Sequence, residues 1–328
     1  MPTTLNFSVI IPAWNCAEQL GRLLKQIKKQ DYPQENIEVL VVDDGSTDNT
    51  NKYAKEHGAR VITHDKNMGR VITRETGAKN ALHENLVFID ARCSVSEDLL
   101  KNAANLNYIP LMGVGLADKT LTIIDRVFYC IRKKVYTPYE PQSKYNDELW
   151  LKPNEFDGRP KGTGLLIINR KMFLDCALKE KSQDVNDDTK LLANIVNDGA
   201  PILRHTKLSF FYEHRHNWPE LLRHTFFRGP KFYDYYLVPG GPHAIKYYLL
   251  IVILLSTLVA CVNLPFLIKP ILLIMVLTPS IVAAWMSEEI KDFFACLIFF
   301  PPVAVAFISG IIFAQVSRLL RIRSIVKH

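Results

Sequence analysis

Over the first 240 positions apolar and polar residues alternate in short blocks, and three long uncharged runs follow. "FSVIIPA" (7 to 13) is an apolar run stopped by Pro12, which predicts a buried strand. "AEQLGRLLKQIKKQ" (17 to 30) places Leu20, Leu23, Leu24 and Ile27 on one helical face. "IEVLVVDDGS" (37 to 46) predicts a second strand ending in acids and a glycine. "TDNTNKYAKEHG" then predicts a helix capped by Ser46 or Thr47 and closed by Gly58. "ARVITHD" (59 to 65) is a third strand, residues 70 to 83 a helix, and "NLVFID" (85 to 90) a fourth strand. Strands alternating with helices predict an α/β fold, a mostly parallel sheet covered on both faces. Ligands of such sheets bind beyond the carboxyl ends of the strands.

The later runs, 248–268, 270–287 and 293–317, carry no charge, and each is near the ~20 residues a helix needs to cross a bilayer. The pattern divides the chain into a soluble domain, residues 1–230, and an interfacial linker with a membrane module, 231–328. The opening "MPTTLNFSVIIPAW" lacks a basic start and its apolar run ends at Pro12, so the expectation is a multi-pass membrane protein whose first domain faces the cytoplasm. Three crossings would leave the basic tail "RLLRIRSIVKH" (318 to 328) outside, against the positive-inside tendency. Lys269 and Pro270 interrupt the apolar region and "SEEIKD" (287 to 292) is acidic, so two true crossings, with one segment re-entrant or interfacial, fit better.

Composition narrows the chemistry. The formal charge of +7 is spread along the chain and its one dense basic group follows an apolar run, which suits an anionic membrane surface and not nucleic acid. Six cysteines without a CxxC pair read as reduced apolar residues. Neither GxGxxG nor GxxxxGK[ST] occurs, which excludes the usual dinucleotide and P-loop sites.

What remains at the predicted strand ends is acidic: Asp43 and Asp44 in "VVDDGSTD" and Asp90 in "VFIDARC". Such acids can hold the base and ribose of a nucleotide, or a metal on its diphosphate. "DDGSTD" is equally a turn into a capped helix.

In order and spacing, "SVIIPAWN", "VVDDGSTDNT", "NMGRVITRETGAKNA" and "VFIDARCSVSEDLL" resemble the family 2 glycosyltransferases of the GT-A fold, over roughly residues 7 to 230. The resemblance implies a Rossmann-like sheet and transfer of a hexosyl or N-acetylhexosaminyl group from a UDP- or GDP-linked sugar. It places Pro12, Ala13, Asp43, Asp44, Asn67, Gly69, Arg74, Asp90 and Ala91 at the donor. Family members usually read D-A-D where this chain reads D-A-R, and the last Asp holds a divalent metal, Mn2+ or Mg2+. Three readings follow. Arg92 partly replaces the ion, its permanently charged fork pairing with phosphate. Asp90 and His214 hold the metal instead. Or the domain is catalytically silent and serves as a membrane scaffold.

Downstream, "RPKGTGLLIINRKMF" resembles the acceptor strand, with Gly162, Thr163, Gly164 and Arg170, and "QDVNDDTKLL" resembles the segment carrying the catalytic base. Asp187 takes the Glu position and Asp188 the position of the base. The bland readings are a β-bend and a helix cap. Inverting transfer needs one carboxylate to accept the acceptor's proton and positive charge on the departing nucleoside diphosphate, which the resemblance assigns to Asp188 and to Arg92 with Arg223 or Arg228. Processive members carry Q-x-x-R-W where this chain has "ELLRH", so addition of one sugar to a lipid-linked or glycan acceptor is expected.

Overall fold

The computed structural model describes residues 5–116, 122–136, 147–180, 185–213, 217–264, 266 and 268–320. They group into two compact units, one within 1–117, 136–183 and 187–214, the other within 118–135, 184–186 and 215–328.

The first unit is built on a mixed sheet. Its strands are β1 (Phe7–Ala13), β2 (Ile37–Asp43), β3 (Arg60–Thr63), β4 (Asn85–Ile89), β5 (Cys93–Val95), β6 (Leu111–Leu116), β7 (Glu148–Leu151), β8 (Leu165–Asn169) and β9 (Ile202–Tyr212). They lie in the order β3-β2-β1-β4-β8-β6-β9-β5, and β7 also pairs with β9. From β3 to β4 neighbours run parallel, as the alternation of strands and helices predicts. Beyond β4, β8 returns antiparallel, and of the remaining pairings only β6 with β9 is parallel. β1 is central and covered on both faces, which is why Phe7, Val9, Ile10 and Ile11 are all buried and the strand shows no alternation.

Helix α1 (Ala17–Lys28) buries Leu20, Leu23, Leu24 and Ile27, as their spacing predicts. Helix α2 (Thr50–Glu56) starts later than predicted, with Asn49 at its N-cap position and no side-chain cap. Neither Ser46 nor Thr47 caps it: their N–H groups donate to Asp43 (3.0 Å) and Asn15 (2.9 Å) in the preceding turn. Gly58 closes the helix with a left-handed φ of 81°. Helix α3 (Arg70–Asn80) sits tightly on β1 and β2, because a Cβ at Gly77 would run into Ile10 and come within 3.3 Å of Val42. That close approach fixes the start of α3 at the strand ends. Helices α4 (Leu99–Leu106), α6 (Arg170–Cys176) and α7 (Asp187–Asn197) complete this unit.

The second unit holds α5 (Ile123–Tyr136), α8 (Trp218–Phe232), α9 (Ala244–Asn263), α10 (Ile268–Met286) and α11 (Ile290–Leu319). The last three are long and apolar enough to cross a membrane, and they coincide within a few residues with the runs read from sequence. The interruption at Lys269 falls inside the first turn of α10.

Candidate functional site

β1 and β2 end level with each other, Ala13 opposite Asp43, and the Asp44 N–H donates to the Ala13 carbonyl at 2.8 Å. The two acids of this corner have different tasks. Asp43, buried, accepts from the Ser46 N–H at 3.0 Å and the Asn51 amide at 3.2 Å, closing its own turn. Asp44, also buried, accepts from the Met68 and Gly69 N–H groups, each at 2.8 Å, and pairs with His64 Nδ1 at 2.7 Å. It thereby ties the loop containing Asn67 to the strand end. Gly45 between loop and strand has φ +72°, and a Cβ there would come within 2.9 Å of the Lys66 and Asn67 backbone. Only glycine fits that crossing.

Next to this corner a charged cluster forms from four distant pieces of chain. Arg70 and Arg74, one turn apart at the start of α3, share a face. Arg74 Nη1 donates to Asp188 at 2.8 Å and to Asp187 at 3.3 Å, and its Nη2 reaches Asp90 at 3.3 Å. Arg70 grips Asp187 through Nε at 2.8 Å and through Nη2, and the Thr163 hydroxyl donates to Asp188. Asp90 is placed by its N–H, which donates to the Gly164 carbonyl at 3.1 Å where β8 begins.

Burial divides the members. The side chains of Arg74 and Asp187 are 5% and 6% exposed, whereas Asp188, Asp90 and Arg70 keep 29%, 37% and 41%, so two carboxylates and one guanidinium face solvent around a buried Arg74–Asp187 pair. Burial pushes the Asp188 pKa up, but Arg70, Arg74 and the Thr163 hydroxyl outweigh it and hold the carboxyl well below the usual range. For Asp90 burial wins: its pKa is raised, opposed by Arg74 and reinforced by Asp188. Two neighbouring acids are thus pushed in opposite directions, the pattern that separates proton-transfer roles in active sites. A cavity of about 20 Å³ lined by Val71, Arg74, Phe173, Asp187 and Leu191 adjoins the cluster; it has room for one water and not for a sugar.

Other expected residues lie elsewhere. Arg92 is half-buried just beyond Asp90, and its carbonyl accepts from the Glu213 N–H at 3.0 Å. Burial pushes the Cys16 thiol up to about 11, opposed by the Trp14 backbone and more weakly by the positive charge of Arg92. Gly164 faces the Phe210 ring, where a Cβ would come within 2.8 Å, while Gly162 meets open space. Arg170 is not brought to the cluster. β8 runs antiparallel to β4, so Asn169 is opposite Asn85 and Arg170 lies at the far end of the strand, bonded to the His83 carbonyl at 2.8 Å and paired with Glu84. Pro12 and Ala13 form the carboxyl end of β1 and Ala91 is buried in the turn after β4. Arg223 and Arg228 belong to α8 of the second unit, and His214 lies outside the described residues.

The donor set for a metal is not assembled among the described residues, where no three His, Cys, Asp or Glu side chains are placed to hold one ion. Asp90 is paired with Arg74, and position 92 offers a cation where an acid would be needed. These residues do not fit a divalent ion as they stand. Two members of the site were missed in the sequence, Arg70 and His64. Arg70 had a visible signal, since it lies four residues before Arg74 on a predicted helix. His64 had none beyond its position at a strand end.

Residues 8–106 match the family described as Glycosyl transferase family 2. Glycosyltransferase AglE of Haloferax volcanii is 34% identical over 111 residues, 32% of this chain and 36% of that protein. Dolichyl N-acetyl-alpha-D-glucosaminyl phosphate 3-beta-D-2,3-diacetamido-2,3-dideoxy-beta-D-glucuronosyltransferase of Methanococcus voltae is 33% identical over 106 residues, 30% of this chain and 33% of that protein. The matches thus span about a third of these relatives' length. In fold, the chain is similar to the mannosyltransferase PcManGT of Pyrobaculum calidifontis, solved with GDP-Man and Mn2+, with TM-score 0.55 and 19% identity over 98% of this chain and 89% of that one.

Proposed function

We propose that this chain, whose residues 8–106 carry the Glycosyl transferase family 2 pattern, is a membrane-tethered inverting glycosyltransferase that adds a single sugar from a nucleoside diphosphate sugar to a lipid-linked or glycan acceptor. The observation that carries the reading is the convergence of Asp188, Asp90 and Arg74 beside the carboxyl ends of β1 and β2, where sheets of this kind bind ligands.

In this reading the loop pinned by Asp44 and the strand end at Pro12 and Ala13 seat the nucleoside. Asp188 is the base. Arg74 and Thr163 fix its orientation, so that one oxygen faces the acceptor hydroxyl. A carboxylate held this strongly ionised is a weak base, so it takes the proton late, when the new glycosidic bond has already acidified the hydroxyl. Arg92 offers permanent charge to the diphosphate as it leaves.

A silent scaffold would have no need of two solvent-facing carboxylates held by one buried arginine, Arg74. The apolar helices 244–263, 268–286 and 290–319 support the tether, and a tether raises the effective concentration of an acceptor confined to the same surface. The name of the Methanococcus voltae relative supports a lipid-phosphate acceptor.

The test is a thermal-shift screen of UDP, GDP and their sugars, with and without Mn2+ or Mg2+. A ligand at a hundred times its Kd should stabilise the protein by about 2.7 kcal/mol. No stabilisation by any nucleoside diphosphate, under either condition, contradicts the proposal.

A further inference from the structure

Helix α11 has 30 residues, about 45 Å, and would easily cross a hydrocarbon core of ~30 Å. Three sets of contacts within the second unit oppose that. At its start, Asp292 pairs with Arg126 of α5 at 2.5 Å, and Glu288 just before it pairs with Lys133 at 2.6 Å. The chain between Leu116 of β6 and Ile123 of α5 has six residues, a reach of roughly 21 Å, which cannot traverse a bilayer. The beginning of α11 therefore stays on the membrane face from which β6 delivers the chain.

Along its middle α11 is lined by α8. Trp218 meets Phe299 edge-to-face with ring centroids at 5.3 Å, Phe226 meets Phe313 at 5.7 Å, and Gly229 abuts Gly310 so closely that a Cβ on either would run into the other helix's backbone. α8 carries Glu220, Arg223, Arg228 and Lys231. A crossing α11 would drag those charges into hydrocarbon, an expensive arrangement. At its end, Gln315 accepts from the hydroxyl of Tyr247, which sits in the first turn of α9, at 2.5 Å. The last turns of α11 are thus level with the entry of α9.

The other two helices have no such cover. Of the most apolar 18-residue stretch of each helix, 0% in α9, 6% in α10 and 22% in α11 is buried within the protein. Residues 264–267 join α9 to α10, and α10 comes back to α5, where Ala283 and Met286 pack with Cys130 and Cys296.

We infer that α9 and α10 are the membrane crossings, forming a hairpin, and that α11 lies along the bilayer surface on the side from which the chain enters α5. Its uncovered stripe, Phe294, Ile298, Val305, Ile308 and Ile312, recurs at helical spacing and enters one lipid leaflet. The acidic "SEEIKD" turn, out of place on a basic cytoplasmic face, is neutralised there by the cations of α5. The inference rests on the membrane tether proposed above.

The experiment uses the full chain with an epitope tag at each end, in sealed membrane vesicles of known orientation, together with Phe266→Cys treated with a membrane-impermeant maleimide. Protease should remove both tags from the same side, and Phe266→Cys should react over the wild-type background only from the other side. A C-terminal tag protected while the N-terminal tag is cleaved would overturn the inference, as would labelling of position 266 from the side of the N-terminal tag. Recovery of the chain outside the membrane fraction would sink the tether first, and the inference with it.

Discussion

Arg74 donates to Asp188 at 2.8 Å across 114 positions of sequence. The same guanidinium reaches Asp187 and Asp90, so one buried cation holds three carboxylates that the chain supplies from two different segments. The geometry of the candidate site depends on that cation more than on any of the acids.

Replacing Arg74 by Met should therefore cost about 3 kcal/mol, the low end for breaking a buried ion pair, since Asp90 and Asp188 retain contact with water. Arg74→Lys should recover only part of the loss, because an ammonium cannot span three acceptors as a planar fork does. Thermal unfolding of the two variants in detergent checks both the size and the order.

Gly45→Ala should be disruptive although it adds a single methyl group. The left-handed φ and the approach of the Lys66 and Asn67 backbone both oppose a Cβ, and the combined cost should be about 1 to 3 kcal/mol. Because the displaced loop is the one pinned by Asp44, nucleoside diphosphate affinity should fall along with stability. Gly58→Ala, with a similar φ and nothing near the added methyl, should cost less and leave affinity unchanged. Paired unfolding and nucleotide titrations separate the two effects.

Acid should destabilise the protein, and the sign can be worked out group by group. Asp188 and Glu38 are both held below their ordinary values, in each case against burial, which pushes upward. For Glu38 the Ser8 hydroxyl, the Leu82 N–H and Arg60 provide the opposing pull. Each contributes stability that is complete above the unfolded carboxylate value of about 4 and is lost as pH falls through the lower folded value. Asp90, raised by burial, acts in the opposite sense: its contribution is complete below the unfolded value and disappears as pH rises through the folded one. Asp48, held down against burial by hydrogen bonds from Thr50, and Asp98, held down by Ser96, act in the same sense as Asp188 and Glu38, so four groups against one predict a falling midpoint from pH 5 to 3. Asp188→Asn should show a shallower fall over the same interval, and an equal slope would remove Asp188 from the explanation.

Half of this architecture could be read from the amino-acid pattern. The parallel strands from β3 to β4 announce themselves because each is separated by a helix with a periodic apolar face, Leu20 to Ile27 being the clearest. The antiparallel return of β8 does not, since "LLII" is buried on both sides and carries no mark of direction. That hidden direction is why Thr163 and Gly164, at the start of the strand, reach the cluster, whereas Arg170, six residues after Gly164, is carried to the opposite edge beside Glu84. The "DDGSTD" motif was legible as chemistry but ambiguous as structure. Asp43 turned out to close the turn and Asp44 to anchor a distant loop, a division no local spacing encodes.

Arg92→Asp restores the acid that the family motif usually has at this position. If Arg92 pairs with the diphosphate, its loss should lower metal-free transfer about ten- to a hundredfold, the worth of a charge-assisted hydrogen bond. The activity that remains should respond to added Mn2+, which the wild type should need less. Initial rates with and without a chelator decide it, and equal metal dependence in both proteins would refute the substitution of Arg92 for the ion.

The most direct test is a comparison of Asp188→Asn with the wild type in two assays, release of nucleoside diphosphate from its sugar and equilibrium binding of that nucleoside diphosphate. Loss of the base should lower the rate by about a hundred- to ten-thousandfold while binding changes little, because the donor does not depend on the proton acceptor. Retention of wild-type turnover by Asp188→Asn would contradict the assignment of this cluster as the place where the sugar is transferred.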